Sequence, residues 1–205
     1  MARRQTGEES AYREAKRAEL LKVCAELIAR RGYAATTVRE IGDAAGLLSG
    51  SLYYYFKSKE DILESLVSGL QDVLWARYQE IVDSADSPRV KLERALRVSL
   101  EAMHTHNDEV RVYQNEGAML HLNERFKPMA ARRHEFESMI SGFLVDGVAA
   151  GEFRADLRVQ VAFRLIRDSV WPVVHWYRPG GDVTIDEVAD EYLALLFDGL
   201  NPRSM

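Results

Sequence analysis

The chain has a single cysteine, Cys24, in 205 residues. One thiol excludes an internal disulfide and a thiolate zinc cluster, and its neighbours Leu20, Leu21, Leu27 and Ile28 make it a small buried filler. Long apolar runs are missing too: no stretch approaches the roughly 18 to 20 uninterrupted apolar residues of a membrane span. Met1-Ala-Arg-Arg-Gln leads into charged sequence rather than a signal-peptide apolar segment, so a cytoplasmic protein without membrane contact is expected. Alternating β-branched strands between paired turn signals are absent, as are internal repeats and low-complexity tracts. So are a Gly-rich phosphate loop, a nucleophile elbow and the His-Glu-x-x-His or Cys/His spacing of a zinc site. His104, His106, His121 and His134 thus fall in no metal or acid–base motif, and no enzyme activity, cofactor or metal is expected.

What is present is an ordinary globular composition, 47% hydrophobic and 29% charged, enough for one large core or a small domain on a larger one. The net charge of −5 is unevenly divided: residues 1–57 hold ten Lys/Arg against seven Asp/Glu, or +3, which leaves −8 for residues 58–205. A basic head on an acidic body fits a phosphate-binding module attached to a different function. Nearly every segment reads with a 3.6-residue period, which predicts an all-α chain of about nine helices. The expected boundaries are a three-helix head over residues 1–57, with 1–12 disordered, and a helical bundle over 58–205.

Local signals place the helices. A stripe of Leu20, Val23, Cys24, Leu27 and Ile28 gives the first, from about Glu14 to Arg31, stopped by Gly32. Thr36 or Thr37 caps a short second helix, Val38 to Ala45, and Ser49 caps a third, to about Tyr55. Ser58 with Asp61 resembles a capping box and opens a long helix to Asp83; Pro88 starts the next, to His104. Further helices are expected from Asn107 to Leu120, Glu124 to Ala150, and Asp156 to Tyr177, where Pro172 should kink the helix. Thr184 with Glu187 caps the last, to Leu200.

Two short helices joined by Gly46-Leu47-Leu48 have the local geometry of a helix-turn-helix, whose second helix enters the DNA major groove. Val38, Ile41, Ala44, Leu47, Leu52 and Phe56 recur at helical spacing and form its small core. The string Ala35-Thr36-Thr37-Val38-Arg39-Glu40-Ile41, then Gly46 through Gly50-Ser51-Leu52-Tyr53-Tyr54-Tyr55-Phe56-Lys57-Ser58-Lys59-Glu60-Asp61-Ile62, resembles the TetR-family signature over about fifty residues. Candidate DNA-contacting residues are Thr36, Thr37, Ser49, Gly50, Ser51, Tyr53, Tyr54 and Lys59. Small residues let the backbone approach base edges, hydroxyls and Tyr rings reach phosphates or thymine methyls, and Thr37 and Lys59 stand at helix N-termini as phosphate clamps. Many family members carry Ser-Lys where this chain has Leu48-Ser49, so a positive charge at the start of the recognition helix is missing.

In the bundle, Arg167, Trp171 and His175 recur at four-residue intervals on one helix face, a cationic and aromatic set suited to a ligand with anionic and apolar parts. Arg167 is equally placed to pair with Asp168 or Glu191. Val112-Tyr-Gln-Asn-Glu116, Arg167-Asp-Ser-Val-Trp171 and Trp176-Tyr-Arg-Pro-Gly-Gly181 look like the actinobacterial TetR repressors of cholesterol-ring catabolism. That resemblance implies an acyl-CoA inducer held by Arg167 and Trp171, although the best-matching pattern has Arg where His175 stands. Phe126 and Phe143 are candidates for the acyl part and Arg178 for the phosphate or thioester end. The resemblance also implies a homodimer on a palindromic operator, with Ile166, Val170, Val188, Tyr192 and Leu196 as interface candidates. The alternatives are a helical interaction or sensor protein without DNA binding and, last, an acyl-CoA-utilising enzyme.

Overall fold

A computed structural model describes residues 2–117 and 124–199; it is all-α, with no strand among the described residues. Helix α1 (Ala2–Arg31) buries Leu20, Cys24, Leu27 and Ile28 and ends at Gly32, whose φ of 83° is the left-handed stop. The expected disorder over residues 1–12 is corrected from Ala2 onward, because the helix continues through a segment rich in Arg, Glu and Ala, which favour it. Met1 lies outside the described residues. Thr37 caps α2 (Val38–Ala44) with a complete capping box: Glu40 N–H donates to Thr37 Oγ1 at 3.2 Å and Thr37 N–H donates to Glu40 Oε2 at 2.8 Å.

The third helix differs from expectation. α3 (Ser49–Leu52) is capped by Leu48, not Ser49, without any side-chain hydrogen bond, and non-helical turns carry the chain on from Leu52 to Tyr55. In α4 (Lys59–Val82) Ser58 Oγ accepts from Asp61 N–H at 3.2 Å, but the Asp61 carboxylate reaches Lys57 N–H at 2.8 Å. The reciprocal bond thus falls one residue before the cap.

Next come α5 (Pro88–Thr105), α6 (Asn107–Asn115), a 3-10 turn (Glu124–Phe126) and α7 (Lys127–Ala149). The expected extension of α6 to Leu120 falls partly outside the described residues, as do His121 and the end of the last helix at Leu200. The expected eighth helix is divided into α8 (Val159–Val170) and α9 (Val173–Trp176), because Pro172 has no N–H to continue the ladder. A second capping box, Thr184 with Glu187, opens α10 (Ile185–Phe197).

Two apolar clusters hold the molecule. One gathers Leu20, Ile28, Ile41, Leu52, Phe56 and Leu63 of the N-terminal helices and takes in Val112, Phe126 and Met129 from farther along the chain. Of the six expected packing residues, Ala44 instead lies exposed. The other cluster is built from Leu74, Tyr78, Leu96, Met103, Phe163 and Val174, among others. Helix α4 contributes Leu66 and Val67 to the first and Leu70 and Leu74 to the second, so a single rod runs through both cores.

Candidate nucleic-acid interface and ligand cavity

On the N-terminal helices Thr37, Gly50, Ser51, Tyr53 and Tyr54 all lie exposed. For Ser49 only the backbone is described, within α3. Thr36 is corrected: it is 1% exposed and its hydroxyl donates to Gly32 O at 2.9 Å, stapling the end of α1 to the following turn. Lys59 is half-buried with its ammonium 4.2 Å from the centre of the Tyr33 ring, so it packs on the head as well as standing at the start of α4. Two cations that sequence reasoning passed over border this face. Arg13 stacks 5.4 Å above Tyr54, and Arg17 lies 4.9 Å above Phe56 with a 2.5 Å hydrogen bond to Ser65. Arg13 therefore brings a positive charge from α1 to the turn that follows the recognition helix, whose own start lacks one.

In the C-terminal bundle a cavity of about 810 Å³ opens between α4, α6, α7 and α8. Its walls are Leu70, Leu74, Trp75 and Tyr78 of α4, Tyr113 of α6, Phe136 of α7, Phe163 of α8, and Trp171 just beyond it. The aromatic rings interlock: Tyr113 and Phe136 meet Trp171 edge-on at 6.3 and 6.1 Å, and Tyr78 lies 5.3 Å from Phe136. Burial pushes the phenols of Tyr78 and Tyr113 up from their ordinary value. Basic side chains come from two sides, Arg132, Arg133 and His134 on α7 and Arg167 on α8.

Two arginines of the cavity wall, Arg132 and Arg167, are paired with carboxylates. Arg167 makes a bidentate pair with Asp168 at 2.6 and 2.9 Å, one of the alternatives open from the sequence, and hydrogen bonds from Arg167 hold the Asp168 carboxyl below its ordinary range. Arg132 lies 3.4 Å from Asp72 and 3.6 Å from Glu135, with its guanidinium over the Trp75 ring. The cavity thus offers an aromatic-walled space bordered by basic side chains, with Arg132 and Arg167 held by carboxylates.

Of the six sequence candidates for ligand contact, Arg167 and Trp171 line this cavity; the other four do not. Phe126 is corrected into the N-terminal core, where the 3-10 turn buries it at 1% exposure. Phe143 packs in the bundle core and does not line the cavity. His175 lies exposed, because the break at Pro172 removes it from the 3.6-residue period of Arg167 and Trp171. Arg178 is exposed too and spends its guanidinium on the carbonyls of His175 and Tyr177. Gln71, Trp75 and the basic run at 132–134 were missed; a polar residue and a tryptophan four apart within the α4 apolar stripe were the available signal.

Of the interface candidates, three are corrected: Ile166, Val170 and Val188 are buried in the chain's own core. Tyr192 is half-buried with its hydroxyl 2.9 Å from Ser169 Oγ, and Leu196 is exposed. The apolar side chains these helices present to solvent are Val161 and Leu165, a turn apart on α8, with Leu195 and Leu196 on α10.

One polar clamp joins the cavity to the head. α6 carries Tyr113 and Gln114 on the cavity wall, and Glu116 at its C-terminus accepts a 2.8 Å hydrogen bond from the backbone N–H of Tyr33, in the turn between α1 and α2.

Comparison with known proteins agrees with this architecture. Residues 20–66 match the family model for bacterial regulatory proteins of the tetR family, and residues 85–200 match the tetracyclin repressor-like C-terminal domain. The chain belongs to the TetR family and is a TetR-type transcriptional repressor, not an enzyme. Among relatives, the HTH-type transcriptional repressor KstR2 of Rhodococcus jostii is 45% identical over 193 residues, 94% of this chain and 95% of that protein. The structure of ketosteroid transcriptional regulator KstR2 of Mycobacterium tuberculosis superposes with a TM-score of 0.87 at 42% identity, covering 91% of this chain and 95% of that one. A crystal structure of the probable transcriptional regulatory protein RHA5900 also gives 0.87, at 46% identity over 91% of this chain and 99% of that one.

Proposed function

We propose that this repressor binds a palindromic operator as a homodimer and releases it when a small-molecule inducer, an acyl-CoA thioester from sterol or lipid catabolism, enters the bundle. The operator is held by the head, residues 1–57, through Thr37, Gly50, Ser51, Tyr53, Tyr54 and Lys59; the inducer enters the body, residues 58–205. The cavity carries this reading. Its volume of about 810 Å³ suits a ring system or acyl chain, and its aromatic walls take a flat apolar body. The guanidinium groups of Arg132, Arg133 and Arg167 among its lining residues suit the phosphates and thioester of a CoA arm lying toward the mouth. The name of the Mycobacterium tuberculosis relative as a ketosteroid transcriptional regulator supports a steroid-derived acyl group.

One recognition helix reads too few bases for useful specificity, so two heads must be presented together. Val161, Leu165, Leu195 and Leu196 supply the apolar surface for that pairing. Induction requires a ligand that favours a state whose heads no longer match successive major grooves, and only differential affinity for the two states can release DNA. Fluorescence anisotropy of a labelled operator complex, titrated with an acyl-CoA and with its free acid, tests this reading. Release by the thioester at far lower concentration is expected; equal release by the free acid would remove the case for CoA recognition. Trp171→Ala should raise the concentration needed while leaving operator affinity in the absence of ligand unchanged.

A further inference from the structure

Leu48 breaks two local rules at once. It is the N-cap of the recognition helix α3, with φ −63° and ψ 139°, and it gives no side-chain hydrogen bond to the free N–H groups of that helix. Ser, Thr, Asp and Asn are preferred at this position because their oxygens do so. Leu48 is also 82% exposed, more than any other large hydrophobic side chain among the described residues. Leu47 beside it packs against the head core, so the turn at Gly46, with φ 66°, sends one leucine inward and the next out. A serine would cap the helix and be exposed without cost; leucine does neither. A residue that costs stability twice and sits on a functional surface has its compensation in what it meets on binding.

The partner follows from position and chemistry. In a helix-turn-helix regulator the first residues of the recognition helix meet base edges in the major groove. The base edges there present one apolar group, the C5 methyl of thymine, among hydrogen-bonding atoms. We infer that Leu48 is a sequence-reading residue that packs on a thymine methyl of the operator, giving specificity by apolar contact at a site that lacks a charge. This contact is independent of the ligand in the cavity.

Thymine-to-deoxyuridine replacement removes that methyl and nothing else. An operator duplex is selected from a random-sequence pool by the wild-type protein, and each thymine of one half-site is replaced singly. Wild type should lose about fourfold in affinity at one or two positions, the worth of one methyl contact. Leu48→Ala should bind the operator more weakly and be indifferent to the same replacements. Leu48→Ser, which restores a capping oxygen, should unfold at or above the wild-type temperature and be equally indifferent, which separates reading from helix stability. A wild type that tolerates every replacement, or a Leu48→Ser protein that keeps the wild-type loss, would overturn the assignment.

Discussion

Phe153 lies across Gly147 so closely that a methyl group on that glycine would overlap its ring, which is also stacked on Phe197 with ring centres 6.3 Å apart. Gly147→Ala must therefore push α7 and Phe153 apart, and overpacking of this kind costs about 1 to 3 kcal/mol. The urea midpoint should fall accordingly; an unchanged midpoint would mean that the ring has room to move. Cys24 shows the opposite kind of residue, one with no task beyond volume. Burial pushes its thiol up to about 12, so almost no thiolate exists near neutrality and a disulfide reagent should react only after unfolding. The sequence marks Cys24 as buried filler through its apolar neighbours, but nothing in it marks the contact of Phe153 with Gly147. Thr36 and Thr37 are adjacent and identical, yet one hydroxyl closes the α1 turn and the other caps α2, a difference set by which side of the chain faces the core.

Helices were legible because their signals are local. The two capping boxes, Pro88 at the start of α5 and Pro172 at the α8–α9 break each act through a backbone group a few residues away. The cavity walls were not, because α4 gives one uninterrupted apolar stripe and only contact with α7 and α8 decides that Leu70, Leu74 and Trp75 line open space while Leu66 is packed. The caps also carry a pH dependence. Hydrogen bonds from the backbone and hydroxyl of Thr37 and Thr184 hold the carboxyls of Glu40 and Glu187 below the ordinary range. Each contribution is complete above the unfolded-state pKa of about 4.3 and is lost as pH falls through the lower folded value. Glu187→Gln should flatten the acid limb of a thermal-midpoint profile measured from pH 6 to 3; a limb of unchanged slope would show that the cap carries no proton linkage.

Across the whole molecule, α4 and α6 each touch both the head and the cavity. α4 runs as one rod through both cores, and α6 is tied to the head by the Glu116–Tyr33 hydrogen bond. Glu116→Ala should cut that tie, leave inducer affinity for the free protein nearly unchanged, and reduce how far the inducer weakens operator binding. A variant that responds as fully as wild type would assign the coupling to α4 and to the apolar packing of Val112 on the head, not to this hydrogen bond. Because α6 and α4 form walls of the same cavity, filling it should bias the two head positions with a coupling of about 1 to 3 kcal/mol, a 5- to 150-fold change in affinity. Linkage makes that factor reciprocal. The most direct measurement is therefore the acyl-CoA dissociation constant, followed by tryptophan fluorescence, for the free protein and for the protein saturated with operator. The predicted result is weaker acyl-CoA binding to the complex by the same factor as acyl-CoA weakens operator binding. Equal affinity for both forms would contradict a cavity that controls the DNA-binding heads.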